Sequence, residues 1–199
     1  MYIKWMPNMF LGGILSIFFL TCAHAADVNQ SYAIKGAGSV ACDRYVNSLN
    51  EKPKEYLVFS GWIDGYITAF NQFQEETFDV TPWQSTFLLT KALEKYCKKN
   101  PKAPFFNALT RMLQALQRER LKKRSELIKI NTGKSALLIY KDIVKRIQTK
   151  LNLRHKHAVK VDGLYGESTE AALRKFQQEN KIPVSGIPDQ VTLQLLFRK

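Results

Sequence analysis

The sequence predicts an all-α protein: two small helical domains behind a cleaved signal peptide. Three observations predict it. Apolar residues between positions 42 and 116 recur at helical spacing, the last part of the chain alternates apolar helical stripes with glycine-bearing turns, and the N-terminus has the layout of an export leader. A length of 199 residues suits two modest hydrophobic cores.

The leader comes first, over residues 1–25. Lys4 supplies a positive start, residues 9–20 are apolar and uncharged, and Ala23-His24-Ala25 is an A-x-A cleavage site. A bilayer span needs about 20 apolar residues, so this run is too short to remain as an anchor. Phe19-Leu20-Thr21 before Cys22 departs from a lipoprotein signal, which wants a small residue before the cysteine. Cleavage after Ala25 is expected, which places the protein in the periplasm with no stable membrane span.

Residues 26–40, with Gly36 and Gly38, have no clear period and read as a loop. A first helix begins near Cys42, with Val46 and Leu49 apolar. After Lys52-Pro53-Lys54 comes a second helix. Its apolar positions Phe59, Trp62, Ile63, Tyr66, Ile67 and Phe70 follow the i, i+3, i+4, i+7 pattern of a core-facing stripe. Gly61 and Gly65, four apart, suit close packing against a neighbouring helix. Thr81-Pro82 reads as an N-cap and first helical position, opening a third helix over residues 83–98. Asn100-Pro101 stops it, and a fourth helix starts near Ala103. Cys42 and Cys97 remain after cleavage, and an even count in an exported chain reads as a disulfide stapling the first helix to the third. Two buried thiols are the alternative. A bridge over so long a loop would contribute about 4 kcal/mol.

Charge is unevenly spread. Residues 26–115 carry ten Lys and Arg against nine Asp and Glu, whereas residues 116–199 carry nineteen against eight. Residues 117–134 read as a basic linker, broken at Asn131-Thr132-Gly133-Lys134. Such asymmetry points to a polyanion met by one half of the chain, or to plain solubility. Behind a leader, nucleic acid is a poor candidate. Wall carboxylates, teichoic-type polymers or anionic headgroups fit better.

The second domain, residues 135–199, reads as a helix over 135–151 with Leu138, Ile143, Val144, Ile147 and Leu151 apolar, then two more helices. One carries Ala172, Leu173 and Phe176, and the last carries Val191, Leu195 and Leu196. There is an internal echo. Gly163 precedes Thr169 by six, Gly186 precedes Thr192 by six, and each threonine is followed four residues on by Leu173 or Leu196. A glycine turn leading into a hydroxyl in a first helical turn satisfies orphan backbone donors. Asp189 suits the N-cap of the last helix.

The run Asp162-Gly163-Leu164-Tyr165-Gly166-Glu167-Ser168-Thr169, with Ala171-Ala172-Leu173-Arg174-Lys175-Phe176-Gln177 and Ile182-Pro183-Val184-Ser185-Gly186, resembles the small three-helix peptidoglycan-binding domain of bacterial wall hydrolases. The resemblance implies peptidoglycan as partner. Contact candidates are Tyr165, Arg174, Gln177, Gln178 and Asn180: a flat face with a polar tip, a guanidinium for stem-peptide carboxylates, and amides that donate and accept. Cys42-Asp43, Gly61-Trp62-Ile63-Asp64-Gly65-Tyr66 and Tyr96-Cys97-Lys98-Lys99-Asn100-Pro101 resemble, more weakly, the Rap/Tai periplasmic immunity proteins and acid-stress chaperones, over residues 39–116. That resemblance implies a compact disulfide-stapled helical domain that meets a periplasmic protein or effector.

No catalytic constellation is expected, and no metal or cofactor. His155-Lys156-His157 lacks a third ligand, Ser60-Gly61 has no histidine in its domain, and Asp64 with Glu55 is the remaining carboxylate pair to consider. The reading is therefore a non-catalytic, peptidoglycan-binding periplasmic protein with a helical interaction domain. The alternatives are an immunity protein against a wall-degrading effector and a wall hydrolase.

Overall fold

The computed structural model describes residues 27, 29, 31–51, 53–131, 136–155 and 159–198. The leader, Cys22, the Ala23-His24-Ala25 site and His157 lie outside the described residues. The chain separates into two units, Met1–Ala33 and Ile34–Lys199. In the first, the Asp27 carboxylate accepts from the backbone N–H groups of Asn29 (2.9 Å) and Ser31 (2.7 Å) and closes a turn.

In the second unit the described residues form α1 (Cys42–Glu51), α2 (Pro53–Phe73), α3 (Thr86–Lys99), α4 (Phe105–Leu116), β1 (Leu127–Asn131), β2 (Ala136–Tyr140), α5 (Lys141–His155), α6 (Glu167–Glu179) and α7 (Gln190–Phe197). The protein is mostly helical, as its periodicity predicts, with one short antiparallel hairpin pairing β1 to β2.

Two apolar cores organise the unit. The first gathers α1 to α4 around Tyr45, Phe59 and Phe105, whose rings lie 4.6–5.1 Å apart, with Ile63, Leu93, Leu109 and Leu113. The buried Tyr45 hydroxyl donates to Thr90 O at 2.8 Å, and desolvation pushes its phenol well above the ordinary range. Cys42 and Cys97 do form a disulfide, Cα to Cα 4.9 Å, which ties the start of α1 to the last turn of α3. The predicted stripe on α2 is core at Phe59, Ile63 and Ile67. Gly61 and Gly65 are not at a helix contact: both are exposed, and a Cβ at either would meet nothing within 4 Å.

One helix start in the first core differs from the expectation. Helix α3 begins at Thr86, because Ser85 is the N-cap and accepts from Leu88 N–H at 3.2 Å. Thr81-Pro82 instead lies in a turn that follows Asp79, and Thr81 N–H donates to the Asp79 carboxylate at 2.9 Å.

The segment read as a basic linker is packed. Leu121 is buried in the second core and exchanges backbone hydrogen bonds with Asp79 (2.8 and 3.1 Å). Instead of a helix from residue 135, Ile130 and Ile139 alternate inward on the hairpin, while Leu138, counted in the helical stripe, is exposed. The second core joins these to Ile143, Val144, Ile147, Leu151, Leu173, Phe176, Leu193 and Leu196. The two cores also meet. Trp83 packs on Phe197 with ring centroids 5.4 Å apart, and the Gln190 side chain accepts from Ser85 N–H (2.8 Å) and donates to Trp83 O (2.6 Å).

Candidate functional site

A polar device occurs twice in the helices that follow the hairpin. Each copy has a buried glutamine on one helix, a glycine in a turn, and a threonine as third residue of another helix. In the first copy Gln148 of α5 donates through Nε2 to Leu164 O (3.0 Å), Thr169 Oγ1 (3.1 Å) and Asp162 Oδ1 (3.1 Å), and its Oε1 accepts from Gly163 N–H (2.9 Å). In the second, Gln177 of α6 donates to Ile187 O (3.0 Å), Thr192 Oγ1 (3.0 Å) and Ser185 Oγ (3.2 Å), and accepts from Gly186 N–H (2.8 Å). Both amides are buried and fully bonded, so they fix the turns rather than merely fill space.

The glycines of the echo are required by backbone shape. Gly163 has φ +78° and Gly186 φ +68°, the left-handed region. There is no room either: a Cβ at Gly163 would fall 2.7 Å from Lys141 Cγ and 3.0 Å from Lys141 O, and one at Gly186 2.7 Å from Arg174 Nε. Asp162 closes the first turn by accepting from Leu164 N–H at 2.9 Å. That bond, then the one from Gln148, holds its carboxyl below the usual range.

The five predicted contact residues fare differently. Gln177 lies wholly inside and offers no surface, which corrects its reading as a ligand contact. Asn180 caps α6, its Nδ2 donating to Phe176 O at 2.8 Å. Gln178 is exposed on the same end of α6. Tyr165 is half-buried and donates to Gly186 O at 2.5 Å, stitching the two turns together. Burial, then the Glu170 charge, pushes its phenol upward, so it stays a neutral donor. Arg174 is exposed. It pairs with Glu170 at 2.7 Å and donates to Val184 O at 3.2 Å.

Tyr165, Glu170, Arg174, Val184 and Gly186 therefore form one connected patch. It combines an aromatic face, an exposed apolar side chain, a guanidinium and a carboxylate, a mixture suited to a sugar carrying amide and hydroxyl groups. The reading missed Glu170 and Gln148. Gln148 was discoverable, because it interrupts the inward stripe Ile143, Val144, Ile147, Leu151.

The residues weighed for catalysis are held apart. Asp64 is exposed and accepts from Thr86 Oγ1 at 2.8 Å, while Glu55 pairs with Arg44 at 2.5 Å. Among the described residues no cluster of three His, Cys, Asp or Glu could hold a metal, and no helix is long and apolar enough to cross a membrane.

Residues 141–196 match the family model described as "Putative peptidoglycan binding domain". The match starts at the first residue of α5, runs into α7, and takes in both glutamine–glycine–threonine copies but neither strand of the hairpin. No curated protein and no solved structure matches the chain. The resemblance of residues 39–116 to immunity proteins and chaperones gains no support from these comparisons.

Proposed function

We propose that this protein binds peptidoglycan without cutting it. Residues 141–196 hold the polymer in the periplasm, and the helical lobe before them presents a surface to another protein. The observation that carries the reading is the family match over α5 to α7, set on turns that two buried glutamines make rigid. Rigid turns favour weak carbohydrate contacts, because little side-chain or loop ordering opposes binding. The periplasmic part rests on Lys4, the apolar residues 9–20 and the A-x-A site. The non-catalytic part is supported by Asp64 and Glu55, each engaged with its own neighbour rather than facing the other across a cleft. Attachment to the wall raises the effective concentration of the first lobe near wall-associated partners.

The test is co-sedimentation of the full chain with purified sacculi, with muropeptide release followed in the same tubes. A net charge of +13 would adhere to any anionic surface, so the assay is repeated at about 1 M salt, where the Debye length is about 3 Å. Binding that survives salt and weakens in Val184→Asp with Arg174→Ala is the expected result. Protein left in the supernatant would sink the binding reading. Released muropeptides would overturn the non-catalytic part.

A further inference from the structure

The two cores leave a cleft where they meet, walled by residues from both. Its basic half has a volume of about 450 Å³ and is lined by Trp83, Arg118, Glu119, Lys145, Lys150 and Phe197 among others. An adjoining hollow of about 540 Å³ shares Trp83, Glu119 and Phe197, and is lined by Leu88, Met112 and Leu195 beside Gln84, Gln194 and Arg198. Trp83 and Phe197 thus line both hollows. Together the volumes are those of a small-ligand site.

The polar groups of the cleft are unevenly satisfied. Arg146 caps the backbone carbonyls of Glu119 and Arg120, and Lys145 pairs with Asp142 at 3.3 Å. Arg118 and Lys150 have no ion-pair partner among the described residues, and the Glu119 carboxylate, which lies in the field of Arg146, makes no direct pair. Gln84 borders the second hollow, with its Nε2 closed off from solvent. The Trp83 indole N–H is also unpartnered among the described residues, unlike that of Trp62, which donates to Lys35 O at 2.9 Å.

We propose that this cleft binds a short acidic peptide, carboxylates toward Arg118 and Lys150, an ammonium toward Glu119, and small apolar side chains against Leu88, Met112 and Leu195 in the second hollow. An acyl chain would leave Arg118, Lys150 and Glu119 in hydrocarbon, and a neutral glycan has no carboxylate for the two cations. The peptide that wall attachment would bring here is the stem peptide of peptidoglycan, and in that identification the inference rests on the proposed function. The site itself is new to this chain: Trp83, Gln84, Arg118 and Glu119 all lie outside residues 141–196.

The experiment is a titration of the ¹⁵N-labelled full protein with the free tetrapeptide L-alanyl-γ-D-glutamyl-meso-diaminopimelyl-D-alanine, beside sacculus co-sedimentation. The Trp83 indole resonance, identified with Trp83→Phe, is expected to shift saturably. Arg118→Glu, on an exposed side chain, and Lys150→Glu, on a half-buried one, should each weaken the peptide about tenfold. Shifts confined to the amides of Gly163 and Gly186 would move the peptide to the other patch and overturn the inference. So would equal shifts with tri-glutamate, which would reduce the cleft to a charge sink. Sacculi that pellet the protein while the peptide leaves Trp83 unmoved would end this inference and leave wall binding standing; failure of both assays would end both.

Discussion

Gln148 and Gln177 show how much one polar side chain can determine. Each joins a helix, a turn and the start of another helix through one amide, with the glycine N–H, a carbonyl and a threonine hydroxyl as partners. Gln148→Leu or Gln177→Leu keeps the volume but leaves those groups buried and unpaired. Each should cost about 1–3 kcal/mol in urea unfolding; a neutral result would mean the turns are set by their glycines alone. Asp162 gives a pH-dependent counterpart. Its folded pKa is depressed, so its contribution is present above the unfolded value of about 3.9 and is lost as pH falls through the lower folded value. Amide exchange at Leu164 should therefore speed up, relative to Leu173, only below about pH 4. Acceleration at neutral pH would deny the carboxylate this role. The glycine–threonine echo was legible in the sequence because both residue types have narrow backbone and capping roles. Gln177 was misread as a surface contact because amides are usually exposed. Its position, next to Phe176 and four after Leu173, was the signal that it faces inward.

At the scale of elements, the helices of the first core follow from their stripes, and the cysteines from their even count. The hairpin did not, for a physical reason. Leu137-Leu138-Ile139 is an unbroken apolar run, which fits a strand or a helix equally, and it leads straight into the helical stripe from Ile143. The register Ile130↔Leu137 and Ile128↔Ile139 decides it by facing Ile130 and Ile139 into the second core and Leu138 out. Ile139→Ala should therefore cost about 2–4 kcal/mol, while Leu138→Lys stays within about 0.5 kcal/mol. Equal costs at the two positions would indicate a different register. The hairpin also explains why the basic segment is not a loose linker: its strands and Leu121 complete the core against which α5 packs.

Across the whole molecule, the question is whether the two cores melt together. The Cys42–Cys97 bridge lies wholly in the first, closing a loop with a sequence separation of 55. Removing it should destabilise that lobe by about 4 kcal/mol through loop entropy in the unfolded chain. Its effect on the second core depends on the contacts between them: the Asp79–Leu121 backbone pair, the Gln190 amide on Trp83 and Ser85, and the Trp83–Phe197 packing. Losing the Gln190 amide alone leaves a part-buried N–H and carbonyl unsatisfied, worth about 1–3 kcal/mol. If these contacts make one cooperative unit, Cys42→Ser with Cys97→Ser should lower hydrogen-exchange protection at Ile147, deep in the second core, as well as at Leu109 in the first. Adding Gln190→Ala should then uncouple them, restoring part of the gap between the two positions. Protection at Ile147 that ignores the disulfide altogether would mean that the second core folds by itself, and the cleft between the cores would then open and close as they move.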